Sequence, residues 1–505
     1  MSGDETLRAE REAAASDAPL ASDPVDVLDT PSAGGKVIRG GVLRGGGYAA
    51  GILLTVVAAA LMTRHLGVVD WGRYVIVLSL VTIVGGLSEA GMSMIGVREY
   101  SVLSGNERDR LMRNLLGLRL TITAVGVAAA VVFAIAAGYG RVLVFGTLVA
   151  GLGLLVNSMQ QTVSVPLSAS LRLGWVSALD FLRQAAFVAT VVALVAAGAG
   201  LFPFLVASVP AAVVVLAVTL PLVRGQVPLM PSFQPREWRK VLRLTVAYAV
   251  ASAVGTVYVS ITVVLISLVG SSRETGYYSA SFRVISVLAV IPLLVIGSAF
   301  PVLARAARDD SERHEYARGR LLEVSLIIGV WMALALSLGA RVAIDLIGGS
   351  HFEPSVHVLR IQAFMLIGTF LAIALGFVLL SLRLHLALLL ANVVALGTSI
   401  ALTVALVPSL GARGAAVAAV VGELGLAILY GMALLRWRPG SISLGIVPPV
   451  ALAAGLAVSL ALVPGLRDVP LVLAATAVYF GTLALTRSIP PELGEALLAW
   501  RTRDG

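Results

Sequence analysis

Very few side chains in this sequence can do more than pack, and those few stand almost alone inside apolar runs. Glu89, Arg119, Asp180, Arg183, Arg283 and Glu423 each interrupt a long stretch of aliphatic residues. An ionisable group in such a stretch is costly to desolvate, so it normally faces a bundle interior or a wet cavity. Arg283, Arg183 and Arg119 are planar cations whose forks suit anionic oxygens such as those of phosphate. Each also has a purely structural reading. Asp180 and Arg183 are three residues apart and share a helix face. They read either as a local ion pair or as an anion-contacting Arg held by its own carboxylate. Arg283 and Arg119 lie near enough to helix ends to snorkel toward headgroups. Glu89 and Glu423 must be paired, protonated or wet. They read either as helix-to-helix hydrogen bonds or as carriers of a coupled proton or ion.

Other chemistry is hard to place. There is no Cys, and the five His (His65, His314, His351, His357, His385) lack metal-ligand spacing. No P-loop, HExxH motif, Ser/His/Asp set or extramembrane acidic metal cluster occurs. The sequence therefore predicts no catalytic residues, no metal and no cofactor.

Composition identifies the elements that must position these groups. Of the 505 residues, 58% are hydrophobic and 13% charged, and the mean hydropathy is +0.95. Soluble domains carry about 45–50% apolar and about 25% charged residues. A water-soluble enzyme is excluded. From Val42 onward fourteen apolar runs follow one another, from 42–63 to 469–486. A helix needs about 20 apolar residues to cross the hydrocarbon layer. In lipid every backbone polar group must be paired internally, so such runs are helices. The expected fold is all-α: a polytopic membrane protein of about fourteen transmembrane helices. Glu89 falls in the second, Arg119 in the third, Asp180 and Arg183 in the fifth, Arg283 in the eighth and Glu423 in the twelfth.

The net charge of +9 reads as topology, with no nucleic-acid partner, because the basic residues sit in short loops. With the N-terminus inside, 26 of the 37 Lys and Arg fall in inner segments, seven in outer ones and four within helices. Basic residues concentrate on the cytoplasmic side. Both termini are expected there, with the chain in the plasma membrane.

A repeat is also visible. Leu66-Gly67, then Gly72-Arg73-Tyr74, precede one apolar helix. Val269-Gly270, then Gly276-Tyr277-Tyr278, precede another at an offset of 203 to 204 residues. An Arg- and acid-rich inner loop follows each (97–113 and 305–320). Six helices separate the copies, so both face the same way, as two lobes with a cavity between them. The organisation expected is a disordered acidic tail over 1–41, a six-helix lobe over 42–240, a second over 241–440, two further helices over 441–487 and a tail over 488–505. Glycines 85, 86 and 91 mark the second helix as one able to bend.

These features carry a resemblance. The short connection Gly67, Gly72, Tyr74, the stretch Ser88-Glu89-Ala90-Gly91 followed by Arg98-Glu99, the second-copy Gly276-Tyr277-Tyr278 with Arg283, and Gly411-Ala412-Arg413-Gly414-Ala415-Ala416 with Glu423 resemble one group over residues 40–440. It is the polysaccharide-transporter (oligosaccharide or O-antigen flippase) branch of the multidrug/oligosaccharidyl-lipid/polysaccharide flippase superfamily. The resemblance implies flipping of an undecaprenyl-diphosphate-linked oligosaccharide for surface glycan synthesis by alternating access. It also implies membrane lipids and glycan polymerases or glycosyltransferases as partners. Related lipid II flippases line their cavity with several Arg. Here Arg283, Arg183 and Arg119 would serve, with Asp180 orienting Arg183, and helix 1 offers no mid-membrane Arg. Two other readings stay open: a cation-coupled multidrug exporter of the same superfamily, and a membrane scaffold without a transport cycle.

Overall fold

A computed structural model describes residues 31–89, 91–309, 311–437, 445–465 and 468–489. Regular structure among the described residues is entirely helical. Among the described residues, eleven helices are long and apolar enough to cross a membrane. One of them, Leu53–Val102, holds two passages that meet at Gly67. Counting Leu53–Val102 as two and adding the shorter apolar stretches Ser260–Val269 and Val447–Leu462 gives fourteen apolar segments among the described residues. The expected all-α polytopic architecture is observed. The first helix begins at Pro31, ahead of the expected start at Val42. The rest of the expected N-terminal tail and most of the C-terminal one lie outside the described residues.

The first element, α1 (Pro31–Glu89), is continuous by hydrogen bonding but turns at Gly67, where φ is 68° and ψ is −179°. An L side chain rarely adopts that conformation, so the turn needs glycine there. Just beyond Glu89 the chain breaks again. Gly91 is left-handed (φ 77°) and opens α2 (Met92–Val102). The bend anticipated from the glycines of helix 2 thus falls two residues from its carboxylate. The remainder of the first lobe comprises α3 (Gly105–Ala136), α4 (Arg141–Val163), α5 (Val165–Ala169), α6 (Leu173–Ala196), α7 (Leu201–Val206) and α8 (Ser208–Leu222).

The second copy starts with α9 (Pro235–Val269) and α10 (Ser272–Leu288), continues through α11 (Val290–Asp309), α12 (Ser311–Leu338) and α13 (Ala340–Ile347), and then α14 (Glu353–Gln362) and α15 (Met365–Ser381). It closes with α16 (His385–Leu410) and α17 (Ala412–Trp437). Helices α18 (Val447–Ser459) and α19 (Asp468–Leu485) pack mainly on α12, with Trp331 donating to Thr476 at 3.1 Å. Helix α10 is capped at its N-terminus by Ser271. The Ser271 hydroxyl accepts from the Glu274 amide at 3.2 Å. The Glu274 carboxylate also accepts from the Ala412 amide at 2.6 Å. One acid therefore serves the N-terminal ends of two helices, where their dipoles favour negative charge.

The repeat is written into the contact between the two copies. A methyl group placed on Gly72 would run into the Ser272 carbonyl, and one on Gly276 into the Val68 carbonyl. Ser272 is 204 positions after Val68, and Gly276 is 204 after Gly72. The contact is therefore reciprocal, as a two-fold relation requires. Two further links join the copies at the same end. Arg64 donates to the Asp345 and Leu346 carbonyls at 2.9 and 3.0 Å. Tyr139 and Ser267 share a hydrogen bond. Farther along α1, Gly86 lies against Thr256 of α9, so the copies meet a second time.

Candidate functional site

Between those two contacts, α1 residues 74–82 line two cavities. The first is about 340 Å³ and largely apolar, walled by α1, α4, α6, α7, α8 and α10. Its polar atoms come chiefly from Tyr74, Asn157, Arg183, Gln184 and Arg283. The second is about 230 Å³ and lies between α1 and the pair α9 and α10, with Arg283 and Tyr74 in its wall. Arg283 therefore stands where the two cavities adjoin and where the two copies face each other.

Its environment is unusual for a cation. The guanidinium makes no hydrogen bond or ion pair among the described residues, and its Nε is buried without a partner. Tyr74, from the Gly-Arg-Tyr connection of the first copy, lies beside it. A buried polar group normally has its hydrogen bonds satisfied, and an unsatisfied one costs several kcal/mol, more if charged. Two apolar-walled cavities therefore present an Arg with no protein acceptor among the described residues to compete with an incoming one.

Arg183 is held differently. Its guanidinium donates to Asn157 of α4 at 2.8 Å and to Asp180 one turn earlier on α6. The i,i+3 spacing read from the sequence does produce the ion pair. Arg183 reaches the 340 Å³ cavity as well, which places Arg183 and Arg283 in one wall.

Arg119 stands apart from both. It is 2% exposed and donates to Glu89, to Gln161 and, at 3.2 Å, to Ser93. Burial inside the first lobe forces this cation to find local acceptors, so it does not line the described cavities with Arg183 and Arg283. The Glu89 carboxylate is taken up by the same contact and also accepts from the Ser93 amide at 3.3 Å.

Glu423 lies in the core of the second lobe, 8% exposed. No cation pairs with it among the described residues. Thr369 of α15 donates to it at 3.5 Å. Gly368 lets the two helices approach, since a methyl there would sit 2.7 Å from the Glu423 carbonyl carbon. The Tyr258 hydroxyl lies beside the carboxylate without good hydrogen-bond geometry to any group. Gln362 and Ser355 are also fully buried with unpartnered polar side-chain atoms. The polar members Asn157, Gln161, Ser93, Tyr258 and Thr369 were not singled out from the sequence. A neutral amide or hydroxyl in an apolar run gives no signal until its partner is known.

The profile of a family described as polysaccharide biosynthesis protein matches residues 61–357. No curated protein sequence matches significantly. Among solved structures, the chain is similar to the lipid II flippase MurJ in an inward closed conformation, with TM-score 0.72 and 13% identity, over 88% of this chain and 98% of that one. It is also similar to an inward-facing MATE-family multidrug transporter of the MOP superfamily, with TM-score 0.60 and 14% identity, over 77% and 96%. At these identities the likeness is one of fold.

Proposed function

Because the chain belongs to the polysaccharide biosynthesis protein family, we propose that it moves a lipid-linked oligosaccharide across the plasma membrane by alternating access of its two lobes. The substrate class is an undecaprenyl-diphosphate-linked glycan bound for the cell surface. The lipid tail stays in the bilayer while the head crosses. The protein must then offer the diphosphate a substitute for water, and the observation that carries the reading is the unpartnered Arg283 in a cavity wall shared with Arg183. A guanidinium in an apolar, water-poor cavity binds phosphate oxygens more strongly than one in water. Asp180 and Asn157 orient Arg183 for the same anion. Arg119 serves the site from behind, by bracing Glu89 and Gln161. A multidrug exporter moving cations would need walls that attract positive charge, and these two Arg oppose that.

The cycle needs a driving force, and Glu423 is its carrier in this reading. A carboxylate without a cation partner takes up and releases a proton or ion as the lobes alternate. One elementary charge moving through 100 mV is worth about 2.3 kcal/mol. Glu89, neutralised by Arg119, holds the first lobe together. Glycan polymerases and glycosyltransferases are the expected neighbours in the membrane, and both termini are cytoplasmic. Reporter fusions after Arg141 and after Arg318 should then report outside and inside; one compartment for both overturns that orientation.

The test of the function is transport in reconstituted vesicles. Wild-type protein should move an undecaprenyl-diphosphate-linked sugar across the bilayer. Arg283→Ala should slow this at least tenfold, given about 1.5–3 kcal/mol for a hydrogen bond to a charged group. Arg283→Lys should retain part of the rate, because a point charge keeps the attraction and loses the fork. Wild-type transport by Arg283→Ala, or efflux of cationic dyes in place of the lipid, sinks the proposal.

A further inference from the structure

A third cavity, about 270 Å³, also has Arg183 in its lining. It is walled by α2, α4, α5 and α6, and its lining differs in kind from the 340 Å³ cavity. Ser93, Gln160, Gln161, Ser168, Asp180 and Arg183 are among its polar lining residues.

The hydrogen bonds already made within it define what is left for a ligand. Gln160 uses its amide nitrogen on Thr219 at 3.2 Å, so its carbonyl oxygen is free to accept. Gln161 uses its carbonyl oxygen on Arg119, so its amide nitrogen is free to donate. Asp180 gives one carboxylate oxygen to Arg183 and keeps the other. The Ser168 hydroxyl makes no hydrogen bond among the described residues and can do both. The cavity thus offers a mixed set of donors and acceptors. Its formal charges, Asp180 and Arg183, compensate each other.

That combination does not suit a bare anion, which wants donors only, nor a cation, which wants acceptors only. It suits a neutral ligand whose groups each donate and accept, and sugar hydroxyls do so. The volume lies just below the roughly 300–1,000 Å³ of pockets that take drug-sized ligands, so it has room for a sugar ring and little more. Arg183 lines both this cavity and the apolar one, so a ligand held by its phosphate at Arg183 has its two sides in chemically distinct chambers.

We infer that this cavity is a glycan subsite. It receives the sugar adjoining the diphosphate, while Arg183 and Arg283 hold the diphosphate itself. The inference rests on the function proposed above and adds to it a place where the glycan is read. Selectivity for a glycan-bearing lipid over the bare carrier would then reside in the first lobe, between α4 and α6, away from the contact between the copies.

Binding of two probes to the full chain in nanodiscs tests this. The probes are bare undecaprenyl diphosphate and undecaprenyl-diphosphate-linked N-acetylglucosamine. Wild-type protein should bind the sugar-bearing lipid at least tenfold more tightly. Ser168→Leu, which fills the cavity and breaks no hydrogen bond, should abolish that preference and leave the affinity for bare undecaprenyl diphosphate unchanged. Arg183→Ala should weaken both lipids together. Equal wild-type affinity for the two probes overturns the subsite without a variant having to fold, and leaves the transport function standing. Equal losses for both lipids in Ser168→Leu also overturn it. Binding of neither lipid by wild-type protein overturns both the subsite and the function.

Discussion

The charged groups set within the apolar runs are handled in opposite ways in the two lobes. In the first, Arg119 and Glu89 are 30 residues apart in sequence and meet in the interior, with Gln161 and Ser93 completing the set. In the second, Glu423 has only neutral partners, and Arg283 has none among the described residues. A paired charge fixes two helices to each other, and little free energy remains for anything that arrives later. An unpaired one is a standing cost that a ligand, an ion or a proton can relieve. In a protein of this kind, function is to be sought at charged groups whose partners are missing, because those that have partners are already used by the fold.

The largest effect should come at the Glu89–Arg119 pair. Glu89→Ala leaves Arg119 buried without its counter-charge. Removing one partner of a fully buried pair costs about 3–5 kcal/mol. The expected loss lies toward the lower figure, since the Glu89 side chain keeps 36% exposure while Arg119 keeps 2%. The double replacement Glu89→Gln with Arg119→Gln should recover most of it, because two neutral amides can hydrogen-bond where two charges did. Thermal unfolding in detergent reads both. In the same assay Arg283→Ala should leave stability unchanged or raise it, since it deletes a cation that nothing compensates. If Arg283→Ala destabilises as much as Glu89→Ala, the division between used and available charge is wrong.

How much of this was legible in the sequence follows from the same physics. The fourteen passages were legible because lipid demands long apolar runs. Gly72 and Gly276 were legible as equivalents because a close backbone contact at a two-fold relation tolerates no side chain on either copy. The Asp180–Arg183 pair was legible because three residues span one helix turn. The Glu89–Arg119 pair was not. It depends on how α1 and α3 pack, and neither residue carries information about the other. Arg119 was consequently expected in the cavity, where its charge alone would put it. The sugar-facing amides of Gln160 and Gln161 were invisible for a related reason. Which atom of an amide remains free is decided by a partner on another helix.

Glu423 permits a change of charge without a change of shape. Glu423→Gln keeps the shape and the hydrogen bond from Thr369 while removing the ability to carry charge. If the unpaired carboxylate is available for coupling, this variant should bind lipid-linked sugar as wild type does, and its melting temperature should hold or rise. Transport by the variant should no longer respond to an imposed proton or ion gradient. A wild-type rate with a wild-type response to an uncoupler would return Glu423 to a helix-packing role.

The smallest expected effect separates two ion pairs of the first lobe, Glu89–Arg119 and Asp180–Arg183, from each other. Asp180 and Arg183 lie one turn apart on α6, with side chains 61% and 33% exposed. Pairs of this kind contribute about 0.2–0.5 kcal/mol to a helix, against the several kcal/mol at stake in a buried pair. Asp180→Asn should therefore shift stability by no more than about 0.5 kcal/mol. Its cost should appear in transport, as a decline of a few-fold, because Arg183 keeps its bond to Asn157 and loses the charged group that orients it. Unfolding and transport measured on one preparation decide the matter. A large stability loss with an undisturbed turnover per folded molecule would mean that Asp180 serves the fold, as Glu89 does, and that the first lobe keeps no charge in reserve for the substrate.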